Sequence, residues 1–227
     1  MLKEVLLKYQ GPLGQLLINL SGENGEKVFT ELNKFNRKEP CWITASTHPV
    51  SKMNVDGKKK SILRCMGKNL SLKSLDGNRL ICNSKDTFQA GINSNFVSWG
   101  INNAGIATPE SLVQVHEMIG SGKFMDIFNA LPGIWDEKWL SQDQIIEFCE
   151  TFPDWLRPSG DATMFLVKKD EDKLIDENNP SDNLVVVYVS VKRGGPYVGV
   201  SRLKSRGVWG GEARHRVVSP QLIYSVV

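Results

Sequence analysis

Residues 184–193 read LVVVYVSVKR, a run of valines around Tyr188 that is typical of a β-strand. Three more β-rich runs accompany it in the last third of the chain: ATMFLVKK (162–169), YVGVSRL (197–203) and RHRVVS (214–219). An acidic loop, Gly194-Gly195 and the segment SRGVWGG separate these runs. The apolar pattern here changes from a period of 3.6 to a period of two, so we predict an antiparallel β-sheet.

Three helical segments are predicted before this sheet. They are TPESLVQVHEMI (108–119), KFMDIFNAL (123–131) and SQDQIIEFCETF (141–152). The first has a stripe of Leu112, Val115 and Ile119, and the third opens with Ser141 and Gln144 at the spacing of a capping box. The expected fold class is therefore α+β, an antiparallel sheet with three helices packed on one face.

The front of the chain is predicted to form a short helical N-terminal module over residues 1–43. The segment 21–38 has one apolar stripe, and Pro40 ends it. Residues 44–60, TASTHPVSKMNVDGKKK, are polar and show neither period, which predicts a linker or exposed loop before an α+β domain over 61–227. Within that domain, LSLKSLDGNRLICN (70–83) is predicted to be a β-hairpin with its turn at Asp76-Gly77.

Six segments carry a resemblance to a known family. In chain order they are GENGEKVFTELNKFNRKEPCW, FVSWG, TPESLVQVHEM, LSQDQIIEF, WLRPSGDATMFLV and HRVVSPQ. Together they resemble a family of uncharacterised small bacterial hypothetical proteins, although Asn36 replaces a Leu of the front segment and Cys41 separates its Pro from its Trp. The resemblance implies a shared fold and brings no activity, cofactor or catalytic residue.

The composition excludes several classes of protein. No stretch approaches the roughly 20 uninterrupted apolar residues of a membrane span, so we expect a cytoplasmic protein without a membrane partner. The four cysteines are widely spaced with no CxxC pair, which indicates neither a zinc site nor a disulfide framework. We therefore expect no metal and no cofactor.

Basic residues concentrate at the C-terminal end. Residues 192–227 carry seven Lys or Arg against one acidic residue. If the strands around 197–203 and 214–219 pair as a hairpin, one cationic stripe is expected, with Trp209 at the tip as a stacking surface. This predicted binding stripe consists of Arg202, Lys204, Arg214 and Arg216. The alternative is an ordinary solvated sheet face, neutralised by the acidic residues of 170–182.

Two weaker candidates for chemistry remain. His215 with Glu212 beside it is a candidate general acid or base, supported by Arg214, although a structural histidine is the simpler interpretation. WLRPSGDATMF places Arg157, Ser159 and Asp161 at a junction between a helix and a strand, where loops often carry function.

The expected function is therefore that of a non-catalytic binding protein. Its basic C-terminal hairpin is expected to contact an acidic partner, either RNA or a ribonucleoprotein. Two alternatives come from other classes: a small hydrolase or nuclease using Glu212, His215 and Arg214, and a structural or assembly protein with an exposed apolar patch.

Overall fold

The computed structural model describes residues 61–158 and 160–222 of the 227-residue chain. The predicted helical module and the predicted linker lie outside the described residues, as does Ser159. The domain boundaries therefore stay predictions. Among the described residues, no helix has both the length and the apolar character needed to cross a bilayer.

The described chain mixes one eight-stranded sheet with three α-helices. The strands are β1 (Leu63–Leu72), β2 (Gly91–Ile92), β3 (Ser111–Met118), β4 (Arg157–Pro158), β5 (Thr163–Lys168), β6 (Leu184–Lys192), β7 (Gly195–Arg202) and β8 (Arg216–Pro220). The helices are α1 (Asn95–Ser98), α2 (Phe124–Asn129) and α3 (Gln142–Thr151). Across the sheet the order is β1-β3-β8-β5-β6-β7-β2, and β4 also pairs with β6.

The sheet is not purely antiparallel, contrary to the sequence prediction. β2 runs parallel to β7, β4 to β6 and β5 to β8. A parallel pair needs a long connection, and the chain between β5 and β8 contains β6, β7 and the segment 203–215, which together provide it. Local alternation cannot reveal such a pairing, because it reports only the faces of one strand.

The run LVVVYVSVKR forms β6, the strand that organises the sheet. It pairs antiparallel with β5 on one side and with β7 on the other. Most of its side chains are buried on both faces of the sheet. A strand covered on both faces has no reason to alternate apolar with polar residues, which explains the nearly continuous valine run.

Two hydrophobic cores lie on opposite faces of this sheet. In β5, Phe165 and Val167 belong to one core, whereas Met164 and Leu166 belong to the other. Successive residues of a strand point to opposite faces, so the two cores are separated by the sheet itself. We call them the first core, which contains Phe165, and the second core, which contains Met164.

The helices cover both faces, so the prediction that all of them pack on one face is wrong. Ile145 and Phe148 of α3 are fully buried in the first core, and α1 contributes Phe96 to it. Ile127 and Phe128 of α2 are buried in the second core. A sheet whose central strand is apolar on both sides needs cover on both sides, and the helices divide accordingly.

The segment 108–119 is a strand and not the predicted helix. Residues 111–118 form β3, between β1 and β8, and β3 is buried from Val113 to Met118. Leu112, Val115 and Ile119 match helical spacing, but Ile119 is 46% exposed and lies beyond the end of β3, so these three residues do not form a buried stripe. The β-branched side chains of Val113 and Val115 favour a strand and argued against the predicted helix.

The predicted hairpin over 70–83 does not form. β1 pairs with β3, and the chain after it bridges from Leu75 to Thr108. Gly77 has the positive φ of 79° that the turn prediction required, but its N–H donates to the buried Asp143 carboxylate of α3 at 3.0 Å. Arg79 also contacts Asp143, with 2.5 Å between Nε and Oδ1. The segment is therefore held by α3 and not by a partner strand of its own.

Candidate functional site

The strands that carry the predicted basic stripe are not neighbours. β7 pairs with β6 and β2, and β8 pairs with β3 and β5. Two strands, β5 and β6, lie between them. The prediction of one cationic hairpin from Arg202 to Arg216 is therefore wrong, because it assumed that strands consecutive in sequence are paired in space.

Arg202 and Arg216 lie at different ends of the sheet as well as on different strands. Arg216 aligns through Thr163 and Val189 with Val198, four residues before Arg202. With neighbouring strands about 4.8 Å apart and residues about 3.3 Å apart along a strand, the two backbones are about 14 Å apart across the sheet and about 13 Å apart along it. The predicted stripe is thus divided between two places.

Arg202 and Lys204 line a cavity of about 420 Å³. Its polar and aromatic lining includes Trp99, Lys169, Ser181, Asp182, Arg202 and Lys204. We call this cavity the cation pocket. Three of these side chains are cationic and one is anionic, so the lining has a net positive charge.

Exposed and buried side chains alternate where β7 ends, and this alternation forms one side of the cation pocket. Arg202 is the last residue of β7, Leu203 is fully buried, and Lys204 is exposed beyond it. The guanidinium carbon of Arg202 lies 5.1 Å from the ring centroid of Trp99, the residue that follows α1. That distance is within the range of a cation–π contact, which orients the arginine without neutralising it.

The opposite side of the cation pocket is set by Asn183. The Asn183 carbonyl accepts a hydrogen bond from the Lys169 N–H at 2.8 Å, and its side-chain oxygen accepts one from the Asp170 N–H at 3.0 Å. Asn183 thereby joins the two ends of the acidic loop at the start of β6. This places Lys169, Ser181 and Asp182 beside one another at the cavity.

The cation pocket holds polar groups that their surroundings do not satisfy. The Ser181 hydroxyl oxygen is buried and has no hydrogen-bond partner among the described residues. Within the same described ranges, no carboxylate lies at ion-pair distance from Lys169, Arg202 or Lys204. Buried polar groups in proteins are normally paired, so an ordered water is the partner expected for this hydroxyl.

The acidic loop does not place its carboxylates over the pocket as a group. Glu171 accepts a hydrogen bond from the Ile106 N–H at 2.9 Å, and Glu177 accepts from the Trp135 N–H at 3.0 Å. Both carboxylates are thus directed to other segments. Asp182 is the acidic residue of this loop that lines the cavity.

Trp209 is part of the second core and is not a free stacking surface at a hairpin tip. Its ring centroid lies 5.3 Å from that of Phe124 and 4.8 Å from that of His215. Its backbone forms an isolated bridge with Gly122. The predicted role of Trp209 in stacking on bases is therefore not supported by its packing. Trp99, beside Arg202, is likewise partly buried and packs against the first core.

Arg214 and Arg216 lie at the other end of the sheet. Arg214 is exposed and has a φ of +50°, which a side-chain-bearing residue seldom adopts. Arg216 is partly buried, with its guanidinium carbon 4.9 Å from the Trp155 ring centroid and its Nη1 donating to the Asp154 carbonyl at 3.0 Å. These two arginines do not line the cation pocket.

His215 is held as a structural group. It is buried, and its Nδ1 accepts a hydrogen bond from the Ala162 N–H at 3.0 Å, so the neutral ring carries its proton on Nε2. Burial lowers the pKa of His215, and the charge of Arg157 lowers it further, whereas Asp161 and Glu212 oppose this shift. The Nδ1 lone pair that a general base would use is already occupied.

Neither weak catalytic candidate forms an active centre with the other. Glu212 is exposed on a short 3-10 turn and forms no hydrogen bond with His215. In the ranges 61–158 and 160–222, no group of three or more His, Cys, Asp or Glu side chains could hold a metal ion.

Arg202 and Lys204 are the two predicted binding residues in the lining of the cation pocket. Trp99 and Lys169 had no predicted site role, and Ser181 lies in the acidic segment 170–182 that was expected to neutralise the stripe. Lys169 follows β5 and Ser181 precedes β6, so the antiparallel pairing of these strands is the signal that could have joined them. The position of Trp99 at the cavity follows from the fold and not from any local sequence pattern.

No protein-family model matches this chain, and no curated protein or solved structure matches it either.

Proposed function

We propose that this α+β protein is a non-catalytic, cytoplasmic binding protein, and that its cation pocket binds the phosphate groups of an acidic partner, RNA or a ribonucleoprotein. One observation carries the proposal. Lys169, Arg202 and Lys204 surround a cavity with a buried, unpartnered Ser181 hydroxyl. Cations and hydroxyl donors are the groups with which proteins contact the nucleic-acid backbone.

The lining of the cavity favours a phosphate-bearing polymer over a small neutral ligand. Trp99 and Arg202 present a planar indole and a planar guanidinium at one wall. Unstacked bases pack on such planar groups while neighbouring cations hold the backbone. Lys204 is an exposed residue of the lining, so a bound chain can continue past it into solvent.

Binding is favoured over catalysis by the state of the candidate groups. His215 has its Nδ1 engaged by the backbone, and Glu212 is not positioned to orient it. An assembly role would rest on exposed apolar surface, but the large exposed apolar side chains of β1, α1 and the loops belong to separate segments. Neither alternative is supported by a group of neighbouring side chains comparable to the lining of the cation pocket.

Fluorescence polarisation of a short labelled oligouridine tests the proposal. The affinity of the full chain should fall steeply between about 50 and about 200 mM salt, because each phosphate contact releases counterions. The double variant Arg202→Gln/Lys204→Gln should bind more weakly and should reduce the slope of log affinity against log salt by about two units.

The matched control is Lys68→Gln, which removes one exposed charge from β1 at the opposite edge of the sheet. It should leave both affinity and slope close to those of the wild type. The proposal fails if the folded wild-type protein shows no binding at the low-salt end, or if Lys68→Gln weakens binding as much as the double variant does.

A further inference from the structure

A second basic cluster forms where two distant parts of the sequence meet. Arg157 in β4 pairs in register with Ser190, and Arg216 in β8 pairs with Thr163, beside Val189. The Arg157 N–H also donates to the Thr163 hydroxyl at 3.1 Å. Residues 157 and 216 are therefore brought to one end of the sheet, next to Arg214. We call Arg157, Arg214 and Arg216 the arginine cluster.

The arginine cluster has few partners for its donors. Nη2 of Arg157 donates to Asp161 at 2.5 Å and to the Ala213 carbonyl at 3.4 Å. Nη1 of Arg216 donates to the Asp154 carbonyl at 3.0 Å. The Nε atoms of Arg157 and Arg216 are both buried and have no hydrogen-bond partner among the described residues.

The nearby carboxylates do not balance the positive charge. Asp161 is engaged by Arg157, and Glu117, which lies opposite Arg216 in the register of β3 and β8, is engaged by Arg64 at 2.9 Å. Burial lowers the pKa of Arg216, and the charge of Arg157 lowers it further, whereas the charge of Glu117 opposes this shift. A partly buried pair of like charges is unfavourable unless something compensates it.

The backbone at the cluster is also held in an unfavourable conformation. Arg214 ends a short 3-10 turn with φ of +50° and ψ of 44°. A non-glycine residue in this region is strained, and such strain in proteins concentrates at binding and catalytic sites. Strain, unpartnered buried donors and unbalanced charge thus coincide at one place.

We propose that the arginine cluster is a second anion-binding site and takes one phosphate monoester or free phosphate through the guanidinium groups of Arg157 and Arg216. Asp161 neutralises one of the three arginines, which leaves two positive charges for a phosphate dianion. The Nη edge of the Arg216 guanidinium matches two phosphate oxygens, Arg157 supplies its Nη1 donors, and Arg214 supplies an exposed donor at the rim. This site is independent of the cation pocket.

An NMR titration of the ¹⁵N-labelled full chain with inorganic phosphate in a chloride background tests the proposal. The Nε–H signals of Arg157 and Arg216 should shift together in a saturable manner, because the ligand contacts the same guanidinium groups. Arg216→Lys keeps the charge but removes the fork. It should raise the Kd for phosphate at least about tenfold, which is about 1.4 kcal/mol at 25 °C.

Two controls separate this site from others. Lys173→Gln removes an exposed charge of the acidic loop, and Arg202→Gln removes a cation of the cation pocket; both should leave the Nε–H shifts of Arg157 and Arg216 unchanged. A dinucleoside monophosphate serves as the phosphodiester probe and should bind more weakly than phosphate does. Unchanged Nε–H signals in the wild type, or binding of the diester alone, would overturn the proposal.

Discussion

At the start of α3, the side chains of Ser141 and Gln144 each accept a hydrogen bond from the backbone N–H of the other residue. The Gln144 N–H donates to the Ser141 hydroxyl at 3.2 Å, and the Ser141 N–H donates to the Gln144 side-chain oxygen at 3.0 Å. The capping box predicted from sequence is thereby confirmed. Local chemistry of this kind is readable from sequence because both partners lie within one turn.

Replacing Ser141 by Ala should destabilise the protein by about 0.5–2 kcal/mol, because the Gln144 N–H then loses its acceptor in a buried position. Urea unfolding measures the change. Ser141→Asn, which keeps a capping acceptor, should lose less than Ser141→Ala. Equal losses in the two variants would show that the cap itself contributes nothing.

The stability of the protein should depend on pH because of two buried histidines, His116 and His215. Burial lowers the pKa of both below their ordinary value of 6.5. Below about pH 6.5 these histidines therefore bind protons in the unfolded chain more readily than in the folded protein. The free energy of unfolding should fall as the pH drops through this range. Each such histidine contributes at most about 1.4 kcal/mol per pH unit over that window.

The variant His215→Asn removes one of these titrating groups and keeps a side-chain oxygen as a candidate acceptor for the Ala162 N–H. Its unfolding free energy should decline less steeply with acid than that of the wild type. Urea unfolding at about pH 7.5 and about pH 5.5 makes the comparison. A steeper decline in the variant would mean that the sign of the His215 shift is wrong.

At the scale of elements, the sequence predictions succeed where a local capping signal accompanies the apolar residues. The predicted helices at 123–131 and 141–152 are confirmed as α2 and α3, because each has a polar or local capping signal beside its apolar residues. They fail at β3, where Leu112, Val115 and Ile119 imitate a helical stripe although Val113 and Val115 alternate with the polar Gln114 and His116. The predicted hairpin at 70–83 does not form because Arg79 pairs with buried carboxylates of α3. Those carboxylates are distant in sequence, so the local pattern does not indicate the pairing.

Ile145 of α3 tests the packing of an element directly. It is fully buried in the first core, so Ile145→Ala should cost about 2–5 kcal/mol through lost contacts and the resulting cavity. Ile134→Ala is the matched control, since Ile134 is 54% exposed and should change stability by less than about 0.5 kcal/mol. Chemical denaturation that shows similar losses in both variants would contradict the assignment of α3 to the core.

At the scale of the whole molecule, the mixture of helices and sheet is predictable from sequence, and the order of strands is not. Periodicity shows that β5, β6 and β7 exist, but it contains no information that β8 lies between β3 and β5. The site depends on that order. Arg202 and Arg216 were expected together and are apart, whereas Arg157 and Arg216 were not predicted to meet and lie at one end of the sheet.

The predicted linker over residues 44–60 makes a further test at this scale. Polar segments between folded units are preferred sites of cleavage, so limited proteolysis should cut within 44–60. A fragment beginning near residue 60 should then remain folded, as judged by cooperative unfolding. Cleavage elsewhere first, or loss of cooperative unfolding after the cut, would show that the domain boundary is wrong.

The central claim is that the cation pocket holds the phosphate-bearing partner, and an NMR titration with a short oligouridine tests it most directly. The indole N–H of Trp99, assigned with the variant Trp99→Phe, should shift together with the backbone signals of Ser181, Asp182 and Arg202, because these groups line one cavity. The Arg202→Gln/Lys204→Gln variant should abolish these shifts while remaining folded. Shifts confined to other surfaces, with Trp99 and Ser181 unchanged at saturation, would contradict the account.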